Sequence, residues 1–267
     1  MSKTLYLECY SGISGDMTVA ALLDLGADRE VLKESLKSLP VGGFRTEITR
    51  VKKSGLDACD FSVILEQDNH DHDMEYLHGS EKSYTGHYEH SHEVNHEHHH
   101  GHTHSHEHPH EHRGMKEITE IIQKSEMTVR AKKMAMRVFD ILAQAESKAH
   151  GVPVEEVHFH EVGAVDSIVD IAAIAICMDN LDISNVIVPV LYEGTGFIRC
   201  QHGQIPVPVP AVTHIAETHK LKLKITDIQG ELVTPTGAAV VAAFRTSDRL
   251  PEDFTMLKTG IGAGKRQ

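Results

Sequence analysis

The chain has 267 residues, enough for a proper core in one large domain or two small ones. Its formal charge of −13 argues against a protein that neutralises nucleic-acid phosphates. No apolar run approaches the ~18 residues of a membrane-spanning helix. Histidine is the anomaly. Of 22 histidines, 16 lie between Asp68 and His112, together with ten of the 39 acidic residues and one lysine. That stretch carries −9 and the remainder only −4, so the acidity and the modest 40% hydrophobic share belong largely to one insert. The N-terminus, MSKTLYLECYSG, lacks the apolar core of a signal peptide. Cys9, Cys59, Cys177 and Cys200 are widely spaced with no CxxC. Reduced thiols and a cytoplasmic location are the expectation.

The fold class predicted is α/β, a mixed α+β arrangement, as one globular domain or two small lobes around a disordered His-rich insert. The N-terminal part spans residues 1–67, the insert 68–114 and the second part 115–267. Residues 4–10 read as a strand and Ser11–Asp16 as a small-residue turn. A helix follows over 17–25, stopped by Gly26, and another over 29–38, ended by Pro40. Residues 44–52 and 57–65 are β-rich runs around KSGL, a strand pair. From Asp68 to Arg113 almost nothing can be buried, so disorder is expected there without a ligand. Order resumes with a helix over 115–124. A longer one runs from the N-cap Thr128 to His150, its apolar stripe formed by Met134, Val138, Ile141, Leu142, Ala145 and Ala149. A helix from about Asp166 to Asn180 is expected, with strands at 185–190, 196–200 and 222–228. A last helix starts at Thr234, with Pro235 in its first position.

In the insert, His96, His98, His100, His102, His104, His106, His108, His110 and His112 occupy alternate positions, and His99 adds one more. In extended chain, alternate residues share a side, so the imidazoles stand in a row. Neutral imidazole suits Ni, Zn, Cu and Co, and interleaved carboxylates add oxygen donors. The insert reads as a loose, exchanging metal reservoir. The plain alternatives are a solvated linker or a purification tag, but a tag is consecutive and terminal. Because histidine ligates when neutral, binding should fade below about pH 6.

Three constellations stand out elsewhere. His158-Phe159-His160-Glu161 precedes Asp166 and Asp170, which share a helix face. Two imidazoles and three carboxylates within a short span could hold a divalent metal or activate a substrate. As a helix N-cap and a dipole complement the two aspartates need no function, but those roles leave the HFHE cluster unexplained. Ser11-Gly12-Ile13-Ser14-Gly15-Asp16 joins a strand to a helix, where backbone amides can approach an anion. It is neither a Walker loop nor a GxGxxG fingerprint, and a tight turn explains it equally well. Thr234-Pro235-Thr236-Gly237 puts hydroxyls and a glycine at another helix start, again either an anion site or a plain cap. His202, before IPVPVPA, is a candidate ligand or a loop histidine. Cys9 and Cys200 are soft donors in principle, although buried structural thiols are commoner.

The motifs YSGISGDMT with ALLDLGAD, VHFHEVGAVDSIVDI, GFIRCQHGQIPVPVPA, ELVTPTGAA and TGIGAG, in that order, resemble the LarC-type nickel-insertion family. The likeness spans residues 5–264 apart from the insert. It implies insertion of Ni(II) into pyridinium-3,5-bisthiocarboxylic acid mononucleotide, with two Ni–S bonds and one Ni–C bond, in making the nickel-pincer cofactor of lactate racemase. It implies dependence on CTP with Mn or Mg. It also implies as partners a separately encoded C-terminal domain and the racemase apoenzyme, and it leaves an oligomer open. Forming the Ni–C bond removes a ring proton, so a base is required. On this reading Asp16, His160, Glu161, Asp166 and Asp170 are the catalytic candidates. Ser11, Gly12, Ser14, Gly15, Thr234, Thr236 and Gly237 bind the cofactor precursor. The insert histidines, His158, His160 and His202 take metal. Family members continue past the GIGAG stretch, so CTP-dependent insertion by these 267 residues alone is an open expectation. The competing readings are a non-enzymatic nickel store or metallochaperone, which needs only the insert, and a metal-dependent hydrolase built on HFHE and the aspartates.

Overall fold

The computed structural model describes residues 3–66, 113–157, 159, 165–200 and 203–266. Strands β1 (Lys3–Tyr6), β2 (Phe44–Lys53), β3 (Leu56–Leu65), β4 (Ile183–Ile187), β5 (Leu191–Thr195), β6 (Phe197–Cys200), β7 (Gly203–Pro206) and β8 (Leu223–Gln229) form four two-stranded pairs. The helices are α1 (Gly15–Leu25), α2 (Arg29–Lys37), α3 (Met115–Lys124), α4 (Val129–His150), α5 (Val165–Asn180), α6 (Pro210–His219) and α7 (Pro235–Phe244). The α/β mixture matches the class read from the sequence. Among the described residues no helix is long and apolar enough to cross a membrane.

Helix α5 is the centre of the core. Ten of the eleven positions from Ile168 to Met178 are buried, Asp170 being the exception, and α1, α2, α4, β3 and β4 pack around it. A helix apolar on every side has to be enclosed in this way. Residues on both sides of the insert contribute to one hydrophobic cluster, from Cys9 and Leu22 to Phe139, Ile174 and Val240. Helix ends follow local chemistry. Asp28 accepts from the Glu30 and Val31 N–H groups at 2.8 and 3.2 Å, and Thr128 accepts from Ala131 at 3.0 Å. Gly26 and Gly151 close α1 and α4 in the left-handed conformation.

The β2–β3 hairpin is antiparallel, with Lys53 opposite Leu56. Its two-residue turn, Ser54-Gly55, has φ of 50° and 83°. Two positive φ values match the twist of the flanking strands, which is why Ser-Gly closes the pair.

Strand β1 pairs in parallel with β4 and stops at Tyr6, short of the expected residue 10. The chain beyond it runs on through isolated bridges, Cys9 to Leu191 and Ile13 to Val233. Strand β4 begins two residues earlier than expected and ends at Ile187. Strands β5 and β7 and helix α6 were not foreseen. Helix α6 starts directly in the proline-rich segment because Pro210 occupies its first position, where a missing N–H costs nothing. The expected disorder and the metal-holding row of the insert lie outside the described residues. At the insert's end the Arg113 carbonyl accepts from the Phe159 N–H at 3.2 Å.

Candidate functional site

The SGISGD turn and the TPTG helix start, separated by over 200 residues of sequence, are joined backbone to backbone. The Ile13 N–H donates to the Leu232 carbonyl at 2.9 Å, and the Thr234 N–H donates to the Ile13 carbonyl at 3.1 Å. Gly12 has φ 82°, and a Cβ there would collide with the Leu232 carbonyl. A Cβ on Gly237 would collide with the Ile13 carbonyl. Only glycine permits this approach. The N-termini of α1 and α7 are therefore held side by side. Each carries a partial positive charge and unpaired N–H groups suited to an anion.

The two starts are capped differently. Thr234 accepts from the Gly237 N–H at 3.1 Å, a conventional N-cap with Pro235 next to it. The Ser14 side chain makes no cap bond to the α1 backbone. Its hydroxyl donates to Asp16 Oδ1, which also accepts from the Met17 N–H at 2.8 Å. Asp16 is thereby drawn into the first turn of α1. Thr236 is buried at the start of α7.

Helix α5 brings its own carboxylates to this place. Asp170 Oδ2 lies 2.5 Å from where a Cβ on Gly15 would stand, so the first residue of α1 must be glycine for α5 to pack there. The Asp166 Oδ1 and Asp170 Oδ1 atoms are sealed from solvent without a hydrogen-bond partner. Burial pushes the Asp170 carboxyl well above the usual range. The negative charges of Asp16 and Asp166 push the same way, and the Lys265 ammonium pulls back. Two orphaned carboxylate oxygens in an acidic cluster call for a proton or a cation.

Asp16, Asp166 and Asp170 thus gather with Gly15, Ser14 and the α7 start. His158, His160, Glu161 and His202 lie outside the described residues, as do His96, His98, His99, His100, His102, His104, His106, His108, His110 and His112. Among the described residues no three His, Cys, Asp or Glu side chains form a group that could hold a metal ion. The aspartates alone are an incomplete donor set. The chain enters α5 directly from the HFHEVGA segment, which is the nearest further source of donors in sequence. Cys9 is buried in the core, away from a ligand's role, and burial pushes its thiol up to about 12.

Two charged residues went unnoticed in the sequence. Lys265 donates to Asp60 Oδ1, and to Ser62 Oγ at 2.7 Å, and its positive charge acts on Asp170. Glu193 is wholly buried on β5. A lone acidic residue inside LYEGT was the one available signal for it.

The fold is that of an α/β protein in which an acidic cluster lies beside two adjoining helix N-termini. A profile of the family described as nickel insertion protein matches residues 5–267. The chain is 52% identical over its whole length to a pyridinium-3,5-bisthiocarboxylic acid mononucleotide nickel insertion protein of Alkaliphilus metalliredigens, covering 58% of that relative. It is 44% identical to a protein of the same name from Clostridium acetobutylicum, over 99% of this chain and 61% of the relative. A third of that name, from Acetivibrio thermocellus, is 35% identical over 99% of this chain and 57% of its own length. No solved structure matches the chain. The chain belongs to the nickel insertion protein family, and it spans less than two thirds of these relatives.

Proposed function

We propose that this chain carries out, or supplies the substrate-holding part of, Ni(II) insertion into pyridinium-3,5-bisthiocarboxylic acid mononucleotide. The observation that supports this reading is the meeting of the α1 and α7 N-termini with Asp16, Asp166 and Asp170. The mononucleotide presents an anionic phosphate and an electron-poor ring bearing thiocarboxylates. Its phosphate fits the two helix starts, beside Ser14, Thr236 and the Gly15 backbone amide, with the Gly237 N–H already held by the Thr234 cap. Nickel is a substrate here. The imidazoles of the insert would gather it, and His158, His160 and Glu161 would complete the donors that the aspartates begin. Nickel–carbon bond formation displaces a ring proton. A carboxylate made more basic by burial and neighbouring carboxylates, as at Asp170, is suited to accept it.

CTP with Mn or Mg belongs to the same proposal. The paired helix N-termini fit a polyphosphate as well as a monophosphate. The remainder of the relatives' length, present as a separate polypeptide, would be the partner of this chain, and the lactate racemase apoenzyme the recipient of the product. A second reading, a nickel store or metallochaperone without chemistry, is favoured by the 16 histidines between Asp68 and His112.

The test is nickel transfer. The chain is loaded with Ni(II) and mixed with the bisthiocarboxylate mononucleotide, with and without CTP and Mn, and the product is followed by mass spectrometry. Nickel-bearing product supports insertion by these residues. Stoichiometric nickel binding with no product, even with the remaining part of a relative added, would leave the storage reading.

A further inference from the structure

Glu193 is 0% exposed, on strand β5, and takes no part in the chemistry above. Its Oε1 accepts three backbone N–H groups: Gly194 at 2.7 Å, Leu232 at 2.8 Å and Val233 at 3.1 Å. Its Oε2 is buried with no partner. Enclosing a carboxylate in this way costs free energy, which three N–H donors on one oxygen offset in part. The apolar alternative would be cheaper for stability alone.

The placement indicates what the carboxylate does. Leu232 and Val233 are the two residues before the N-cap Thr234. The Leu232 carbonyl receives the Ile13 N–H, and the Ile13 carbonyl receives the Thr234 N–H. One carboxylate oxygen therefore holds two successive peptides, and those peptides hold the small-residue turn of α1. The backbone on the far side is equally constrained. A Cβ on Gly194 would collide with the Gly230 carbonyl and sit 2.8 Å from the Ile228 carbonyl. Strand β5 and the approach to α7 have no slack between them.

We propose that Glu193 is the positioning residue of the candidate site: it locks residues 232–234 in the register that makes the N-termini of α1 and α7 converge on one anionic group. It acts through Leu232, Val233 and Ile13 and does not touch the substrate. The inference deepens the mononucleotide-binding reading above and rests on it for its functional consequence.

The experiment compares Glu193→Ala and Glu193→Gln with the wild-type chain. Three quantities are read: amide hydrogen exchange, the dissociation constant for the mononucleotide, and nickel stoichiometry. In Glu193→Ala, exchange at Ile13, Leu232, Val233 and Thr234 should accelerate about tenfold or more, while Phe139 and Leu142 in α4 stay protected. Mononucleotide binding should weaken by about tenfold with nickel stoichiometry unchanged. Glu193→Gln keeps an acceptor oxygen and should fall between the two in both exchange and binding. That intermediate value is the decisive comparison if the alanine variant does not fold. Unchanged exchange at residues 232–234, or a glutamine variant no better than alanine, would overturn the proposal. If the wild-type chain binds no mononucleotide, the functional reading above fails, and the exchange pattern still decides whether Glu193 sets the register.

Discussion

Gly237 and Ile13 touch backbone to backbone: a Cβ on Gly237 would collide with the Ile13 carbonyl, the same carbonyl that receives the Thr234 N–H at 3.1 Å. Two opposing effects meet at this glycine. In an ordinary helix, replacing glycine by alanine stabilises by roughly 1 kcal/mol. Here the added methyl must push α7 away from the α1 turn. Forcing an atom into a closed backbone contact costs about 1–3 kcal/mol. Gly237→Ala should therefore be net destabilising, with a lower denaturant midpoint and weaker mononucleotide binding. An alanine variant more stable than the wild type would refute the close contact.

Asp170 gives a prediction of opposite sign. Its folded-state pKa lies above the unfolded value because burial and the charges of Asp16 and Asp166 disfavour the ionised form. The favourable balance is complete below the unfolded pKa, near 4 for a free carboxylate. It is lost as pH rises through the folded pKa. At neutral pH, above the unfolded value, that favourable balance is reduced. Asp170→Asn should raise stability at pH 7 by on the order of 1 kcal/mol, about 2–4 °C in Tm, and flatten the decline above pH 4. The same variant should lose insertion activity. Thermal melts across pH 4–8 check it; a lower Tm at pH 7 would show that the carboxylate is satisfied.

Much of this fold was legible because local chemistry and tertiary packing agree. Thr128, Thr234, Gly26 and the Ser54-Gly55 turn each announce an element boundary on their own. Helix α6 was hidden because three prolines in IPVPVPA read as a helix-free stretch, although the last of them starts the helix. Strand β5 was hidden because LYEGT has no alternation: both Glu193 and Gly194 are buried. At the site, SGISGD, TPTG and Asp166/Asp170 were each readable, each with a plain structural alternative. Their meeting was not readable, since it depends on the Ile13–Leu232–Thr234 bonds between distant segments. Lys265 and Glu193 owe their positions wholly to tertiary packing.

The histidine-rich insert should be separable from the fold. Replacing residues 68–112 by a short glycine-serine linker leaves the clustered core residues untouched. The Tm should change by no more than about 2–4 °C, the equivalent of ~1 kcal/mol. Nickel stoichiometry, measured by equilibrium dialysis at pH 7.5, should fall to the few ions that the remaining residues hold. The intact chain should release most of its nickel between pH 7.5 and 5.5, as protonation removes the imidazole lone pairs that ligate the metal. Equal capacity at both pH values would mean that the histidines are not the ligands.

The glycine-rich end of the chain is part of the core rather than an appendage. The Cys59 N–H donates to the Ile261 carbonyl at 2.9 Å, and the Ala263 N–H donates to the Cys59 carbonyl at 2.8 Å, so residues 261–263 lie along β3. On the other side, a Cβ on Gly262 would collide with the Met17 carbonyl and sit 2.7 Å from the Ala21 nitrogen. The backbone is wedged between β3 and α1, in the same turn region that carries Asp16. Gly262→Ala should cost about 1–3 kcal/mol. Its neighbourhood supplies a control, because Leu257 is 91% exposed and Leu257→Ser should stay within about 0.5 kcal/mol of wild type. Urea denaturation midpoints of the two variants distinguish a wedged segment from a loosely attached tail. Equal midpoints would rule out the wedge, and with it the means by which Lys265 is held near Asp170.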